Sequence, residues 1–239
     1  NKGLNVLLPA LLPGIVWYAL QQEITVFMVV LGSAVMACVL RLAVSLPKAM
    51  ATSSLLGLAV VALLPSLSPL WFEILQQGAQ QYSQLLTEKD PQAATMLEPW
   101  ILPLLLGGIA ALLQLFAMGA VLMARSWQAK MFNPGEFAIE FRALRLPHWY
   151  AIIAVVVFLI GVSSSQMASL IPVVLAPLFM AGLSLIHAVV AKKQLSSQWI
   201  IAFYISLLFF LPYMYALLIL IALLDIFLDF RARLNETAN

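Results

Sequence analysis

Charged residues are scarce in this sequence. Only 9% of its 239 residues are Asp, Glu, Lys or Arg, while 64% are hydrophobic and the mean hydropathy is +1.02. A soluble domain carries about 25% charged residues, so a water-soluble fold of this composition would lack the polar surface needed to cover its core. The composition therefore predicts an integral membrane protein, with the lipid bilayer as its first partner.

Residues and motifs that carry chemistry are also few. The one cysteine, Cys38, lies in an apolar run, so no intrachain disulfide can form. His148 and His187 have no third His, Cys or carboxylate at metal-ligand spacing. There is no G-x-S-x-G, Walker A, G-x-G-x-x-G or H-E-x-x-H motif. The sequence thus gives no argument for an enzyme, a metal site or a cofactor, and a net charge of +2 gives none for nucleic-acid binding.

What the chain does contain is long apolar segments, most of them bounded by charges, prolines or aromatic residues, as bilayer interfaces favour. The seven segments are 3–20, 24–40, 49–64, 100–124, 149–162, 167–190 and 199–228. They lack the alternation of barrel strands and are near the roughly 20 residues that a spanning helix needs. We predict a single all-α membrane domain over residues 1–239, a polytopic transmembrane bundle of about seven hydrophobic segments. The last segment, with Pro212 in its middle, is too short for two full crossings of about 40 residues, which favours one kinked helix.

Two polar stretches are predicted not to span the membrane. In residues 68–90 the apolar residues recur at helical spacing and the glutamines fill the opposite side. This pattern predicts an extracytoplasmic amphipathic helix on the membrane surface. Residues 125–148 form a polar cytoplasmic connection with a turn signal at Asn133-Pro134-Gly135.

Lysine and arginine predict the orientation of the bundle, since they favour the cytoplasmic side. With the start of the chain inside, the only cation of the outer connections is Lys89, and the inner ones hold Lys2, Arg41, Lys48, Arg125, Lys130, Arg142, Arg145, Lys192 and Lys193. Seven crossings would place Arg231 and Arg233 outside, whereas their charge favours a cytoplasmic tail. The side of the tail stays open at this point.

Polar side chains inside the apolar runs are candidates for ligand binding. They are Gln114, His187, Tyr204, Tyr213 and Tyr215. The alternative for Gln114 is a hydrogen bond between packed helices, and for His187 a plain interfacial position. Small residues at four-residue spacing, Ser33 with Ala37 and Gly107 with Ala111, predict close approaches of helices.

Charged residues near the end of the last segment are candidates for docking. Asp225, Asp229 and Arg233 follow one another at one-turn spacing, so they share a helix face. That face, with Arg231, would dock to a partner or to basic residues elsewhere in the chain, such as Arg142 and Arg145. The alternative is a solvated helix end in the headgroup layer.

Three short stretches carry a resemblance to a known family. Residues 141–149 (FRALRLPHW), 182–187 (GLSLIH) and 225–231 (DIFLDFR) resemble characteristic segments of the YybS-like family of uncharacterised bacterial inner-membrane proteins, and Leu40-Arg41 is similar too. The resemblance implies a multi-pass protein of the bacterial inner membrane. It also implies further hydrophobic sequence before Lys2-Gly3, which agrees with a first residue that is not methionine.

The YybS-like family is in turn distantly similar to the substrate-binding components of energy-coupling-factor transporters. Those components bind a small molecule within a helical bundle and dock on a shared energising module, although segment 3–20 lacks their alanine-spaced docking motif. We therefore expect a transport-related protein with a small-molecule cavity. The alternative is a non-transporting assembly or scaffold subunit of a larger membrane complex, which predicts a filled interior and a membrane protein partner. An intramembrane enzyme acting on lipid is a third hypothesis.

Overall fold

The computed structural model describes residues 4–21 and 23–232, and this part of the chain is almost entirely helical, without a strand. Lys2 and Arg233, which entered the charge patterns above, lie outside it. The described residues form α1 (Leu4–Gln21), α2 (Thr25–Ala43), α3 (Leu46–Leu67), α4 (Pro69–Lys89), α5 (Pro91–Phe132), α6 (Glu136–Arg142), α7 (His148–Ser163), α8 (Leu170–Lys192), α9 (Gln198–Phe209) and α10 (Leu211–Leu228), with a short 3-10 turn at Ser165–Met167.

Five of these helices are long and apolar enough to cross a membrane. They are α2, α3, α5, α8 and α10, and shorter apolar helices cover Leu11–Gln21, α7 and α9. The all-α fold and its membrane-spanning character are therefore confirmed, and the protein is a membrane protein. The predicted number of about seven spanning segments is not confirmed.

The centre of the bundle is α8. Within the apolar part of α8, 67% of the residues are buried in the protein, against 17% to 39% in the other four candidate spans. Two glycines allow neighbouring backbones to come close: a Cβ on Gly182 would lie 2.5 Å from the Leu218 carbonyl oxygen, and one on Gly107 would lie 2.2 Å from that of Ser169. The Gly107 and Ala111 pair thus marks a close approach, as its spacing predicts.

The prediction of one kinked helix over 199–228 is wrong. The helix is interrupted at Phe210, so that α9 ends before this residue and α10 begins after it. Pro212 has no N–H to donate to the carbonyl four residues earlier, so the helical hydrogen bonding of α9 cannot continue through it. A new helix starts here, with Pro212 in its first turn. The contacts Phe179 with Tyr215 and Gly182 with Leu218 show that α10 runs parallel to α8.

Helix α9 runs in the opposite direction. After the turn that follows Lys192, the Tyr204 hydroxyl of α9 lies back beside the His187 ring, 3.0 Å from its Nε2. Helices α9 and α10 are therefore the two arms of a hairpin, and both outer ends of that hairpin lie near the end of α8. The Lys192 ammonium group donates to the Arg231 carbonyl at this point.

The polar stretches also take helical form. Helix α4 covers the segment predicted to be amphipathic, where it buries Leu75 and Ala79 while Trp71 and Tyr82 stay exposed. The Asp90 carboxylate caps α5 by accepting hydrogen bonds from the Gln92 and Ala93 amides, each 3.0 Å long. Helix α5 has 42 residues, about 63 Å at roughly 1.5 Å per residue. It is about twice as long as a bilayer core and takes in the first part of the 125–148 connection.

Candidate functional site

A small polar layer lies in the middle of the bundle and is built around Pro177 of α8. Because proline has no N–H, the carbonyl of Val173, four residues earlier, loses its helical donor. The Gln114 amide of α5 takes that place, with Nε2 3.2 Å from the Val173 oxygen and 3.4 Å from Ser53 Oγ of α3. A backbone group freed inside a membrane bundle is satisfied here by a neighbouring helix.

Tyr150 of α7 completes the same layer. Its hydroxyl lies 3.0 Å from the Val174 carbonyl, to which it donates, and 2.7 Å from Ser54 Oγ of α3. Two side chains from different helices thus bond to successive carbonyls of α8. The layer joins α3, α5, α7 and α8, and sequence reasoning missed Tyr150 because it lies at the start of its apolar segment.

The surroundings of Gln114 are closely packed. Gln114 is fully buried, and a Cβ added to Gly57 would lie 2.4 Å from its Oε1. The amide nitrogen makes hydrogen bonds between packed helices, whereas Oε1 accepts no hydrogen bond within the described residues.

The aromatic candidates do not gather around Gln114. Tyr204 meets His187, as described above, while Tyr213 is 79% exposed. Tyr215 packs on Phe179, with ring centroids 5.1 Å apart, and lines an apolar cavity of about 290 Å³ between α7, α8 and α10. The structure therefore brings together only one pair of the candidate ligand-binding residues.

The candidate docking residues form a cluster that holds the end of α10. Arg231 Nε lies 2.9 Å from Asp225 Oδ2, and Arg145 Nη1 lies 2.8 Å from Asp229 Oδ1. Arg231 also donates to the main-chain carbonyls of Arg142 and Leu144, the latter at 2.8 Å. These contacts lie within the chain. The two carboxylates do not form one docking face, because α10 ends at Leu228 and Asp229 adopts a left-handed conformation after it. Asp225 pairs with Arg231, and Asp229 pairs with Arg145.

The two ion pairs differ in their surroundings. Asp225 is buried and Arg231 largely so, with side-chain exposures of 2% and 12%. Burial lowers the pKa of Arg231, although Asp225 opposes this change, and an arginine stays protonated throughout the physiological range. Asp229 is open to solvent, and the hydrogen bond from Arg145 lowers its pKa below the usual value of an aspartate.

A larger groove lies between α2 and α5, and sequence reasoning did not predict it. It has a volume of about 880 Å³. Its apolar walls come from two helical stripes in which small residues are frequent, including Ser33, Ala37 and Ala124. We call it the α2–α5 groove.

One end of the α2–α5 groove is polar. Arg41, Arg125, Gln128 and Glu140 line it there. Arg125 Nε lies 2.7 Å from Glu140 Oε2, and its Nη1 donates to Gln128 Oε1 over 3.1 Å. Because Glu140 belongs to α6, this end is the one at which the Arg231 cluster lies, and we call it the basic end of the bundle.

The Ser33 and Ala37 pair has a different role from the one its spacing predicts. The Ser33 hydroxyl donates to the Val29 carbonyl of its own helix at 2.7 Å, and both small residues face the groove instead of a packed neighbour. A stripe of small residues that ends in an arginine, present in both helices, is the sequence signal for this groove.

Comparison with family models, with curated proteins and with solved structures finds no match to this chain. The class that the geometry defines is a membrane-embedded helical bundle with a filled polar layer at its centre and a lateral groove that is apolar along its walls and charged at one end.

Proposed function

We propose that the protein binds a small amphiphilic molecule in the α2–α5 groove and that this binding is part of a transport-related role. The single observation behind the proposal is the groove itself, with a volume of about 880 Å³, apolar walls and a charged end. Known small-molecule sites have volumes of about 300 to 1,000 Å³ and combine apolar walls with a few polar groups. The resemblance to the YybS-like family supports a place in the bacterial inner membrane.

The distribution of free polar groups in the protein indicates what kind of ligand it could bind. In the described part of the chain the groups at the bundle centre bond mainly to one another, through Gln114, Tyr150 and their partners. A fully water-soluble ligand would find no polar chamber there. A molecule with an apolar body and a polar head fits the groove, since its walls are apolar and its arginines lie at only one end.

The proposal can be tested by filling the groove. Ala37 and Ala124 line it with exposed side chains, so Ala37→Trp and Ala124→Trp would occupy the space of the ligand. Gly108→Trp is the matched control, because Gly108 is an exposed residue of α5 with open space at its Cβ and lies outside the groove lining.

Each variant would be purified in mild detergent, and the small molecules that it retains would be measured by native mass spectrometry and solvent extraction. We expect the wild type and Gly108→Trp to retain an amphiphile that both groove variants lose. Equal retention in all four proteins would contradict the proposal.

A second candidate function, a non-transporting assembly or scaffold subunit, is favoured by the filled interior around Gln114. This hypothesis predicts a stoichiometric membrane protein partner after mild extraction and no retained small molecule. The same native mass spectra distinguish it from the first proposal, because partner subunits and bound amphiphiles add different masses.

A further inference from the structure

The charges at the basic end of the α2–α5 groove do not balance. Two arginines, Arg41 and Arg125, and one carboxylate, Glu140, line this end. The carboxylate is taken by Arg125, at 2.7 Å. Arg41 has no ion pair and no side-chain hydrogen bond to any residue in the ranges 4–21 and 23–232. One positive charge is therefore left at the end of an apolar groove.

Resting on the function proposed above, we propose that the ligand of this groove is an acidic phospholipid of the surrounding bilayer. Its phosphate would lie against the guanidinium group of Arg41, and one acyl chain would follow the small-residue stripe past Ala37 and Ser33. Arginine binds phosphate well, because its planar fork of donors matches the phosphate oxygens.

The position of Arg41 favours a lipid over a soluble anion. Arg41 is in the last turn of α2, a candidate membrane span, and the end of a span is where lipid headgroups lie. Basic pockets between spanning helices on the cytoplasmic side are known to bind acidic headgroups. A free phosphate would leave the apolar walls of the groove exposed, whereas a phospholipid covers both parts.

The pairing of Glu140 favours an acidic lipid over a zwitterionic one. The ammonium group of a zwitterionic headgroup balances the charge of its own phosphate. Because the groove's carboxylate already binds Arg125, a zwitterionic lipid would leave the positive charge of Arg41 uncompensated. A headgroup with net charge −1 neutralises the remaining positive charge of Arg41. The net charge of the groove therefore selects for phosphatidylglycerol-like headgroups.

The experiment offers the purified full chain a choice of two lipids. The protein in mild detergent would be equilibrated with mixed micelles of equal amounts of phosphatidylglycerol and phosphatidylcholine, and the bound lipids would be counted by native mass spectrometry. Arg41→Gln removes the charge, and Arg41→Lys keeps it. Lys130→Gln is the control, because Lys130 is an exposed cation near the end of α5 that does not line the groove.

We expect the wild type and Lys130→Gln to retain phosphatidylglycerol selectively. In Arg41→Gln the selectivity for phosphatidylglycerol should fall about fivefold, which is the effect of one basic residue on the binding of an acidic lipid. Arg41→Lys should keep most of the selectivity. Ala124→Trp, which changes no charge, should lose the bound lipid altogether.

The outcomes that would overturn this inference are distinct from those that would overturn the proposed function. Unchanged selectivity in Arg41→Gln, or an equal loss in Lys130→Gln, overturns the acidic phospholipid. Equal retention of the two lipids by the wild type also overturns the acidic phospholipid. If Ala124→Trp abolishes that retention, the groove still binds an amphiphile and the proposed function stands. Retention that Ala124→Trp does not reduce overturns both.

Discussion

Gln114 of α5 and Val173 of α8 are joined by a hydrogen bond from the side-chain amide to the main-chain carbonyl, with a distance of 3.2 Å. The bond exists because Pro177 cannot donate to that carbonyl. A side chain of one helix thereby replaces a backbone donor of another. This substitution couples the helix that carries the proline to the helix that forms one wall of the α2–α5 groove.

Removing the Gln114 amide should destabilise the bundle. Gln114→Leu keeps most of the side-chain volume and leaves the Val173 carbonyl without its donor. We expect a loss of about 0.5 to 2 kcal/mol in the free energy of unfolding, the range for polar contacts between helices in membranes. Thermal or denaturant unfolding in detergent would measure it. Gln80→Leu on the exposed face of α4 is the control, and an equal effect of the two changes would contradict this role of Gln114.

The effect of Gln114→Leu should depend on Pro177. In a Pro177→Ala background the alanine N–H can donate to the Val173 carbonyl, so the loss of Gln114 should cost less than in the wild type. A double-mutant cycle isolates this coupling, and we expect it to be at least about 0.5 kcal/mol. Additive effects of the two substitutions would show that Gln114 and Pro177 act independently.

The sequence predicts the parts of this fold that depend on hydrophobicity. The apolar run 167–190 became α8 at Leu170–Lys192, and the all-helical membrane fold follows from the same runs. The break at Phe210 could not be predicted in the same way. Pro212 is compatible with a kink and with a hairpin, and the choice depends on the contacts that α10 makes with α8.

The candidate site shows the same limit. Ser33 with Ala37 and Gly107 with Ala111 have the same spacing, yet Gly107 touches the backbone at Ser169 while Ser33 and Ala37 line the groove. The difference lies in the distance between helix axes, which a pattern of small residues does not encode. The packing alternative for Gln114 could be stated from the sequence, but its partner depends on the relative height of α5 and α8.

The two ion pairs at the basic end should differ in their effect on stability. Arg231→Gln leaves the buried Asp225 carboxylate without its partner, and breaking a buried pair costs about 3 kcal/mol. Arg145→Gln breaks the exposed pair with Asp229, and such a surface pair contributes little to stability because water screens it. The free energy of unfolding would be measured for both variants, and each serves as the control for the other. A larger loss in Arg145→Gln than in Arg231→Gln would contradict the structural difference between the pairs.

The hairpin of α9 and α10 predicts the side of the membrane on which the chain leaves the bundle. Since Arg231 bonds to the carbonyls of Arg142 and Leu144, the end of α10 must lie on the same side as the connection after α5. Cysteines introduced at Asn133, Ser197 and Ala232 should therefore share one side. Cysteines at Thr87 and Gln166 should share the other, since α5 separates Thr87 from Asn133 and α7 separates Asn133 from Gln166.

The variants would be made in a Cys38→Ser background and treated with a membrane-impermeant maleimide before and after permeabilisation of the cells. All five introduced cysteines replace residues that are exposed in the structure, so reactivity reports the side and not burial. Because lysine and arginine favour the cytoplasm, we expect Thr87→Cys and Gln166→Cys to react in intact cells and the other three only after permeabilisation. Reaction of Ala232→Cys together with Thr87→Cys would mean that Gln198–Leu228 crosses the membrane once, and the hairpin would then be wrong.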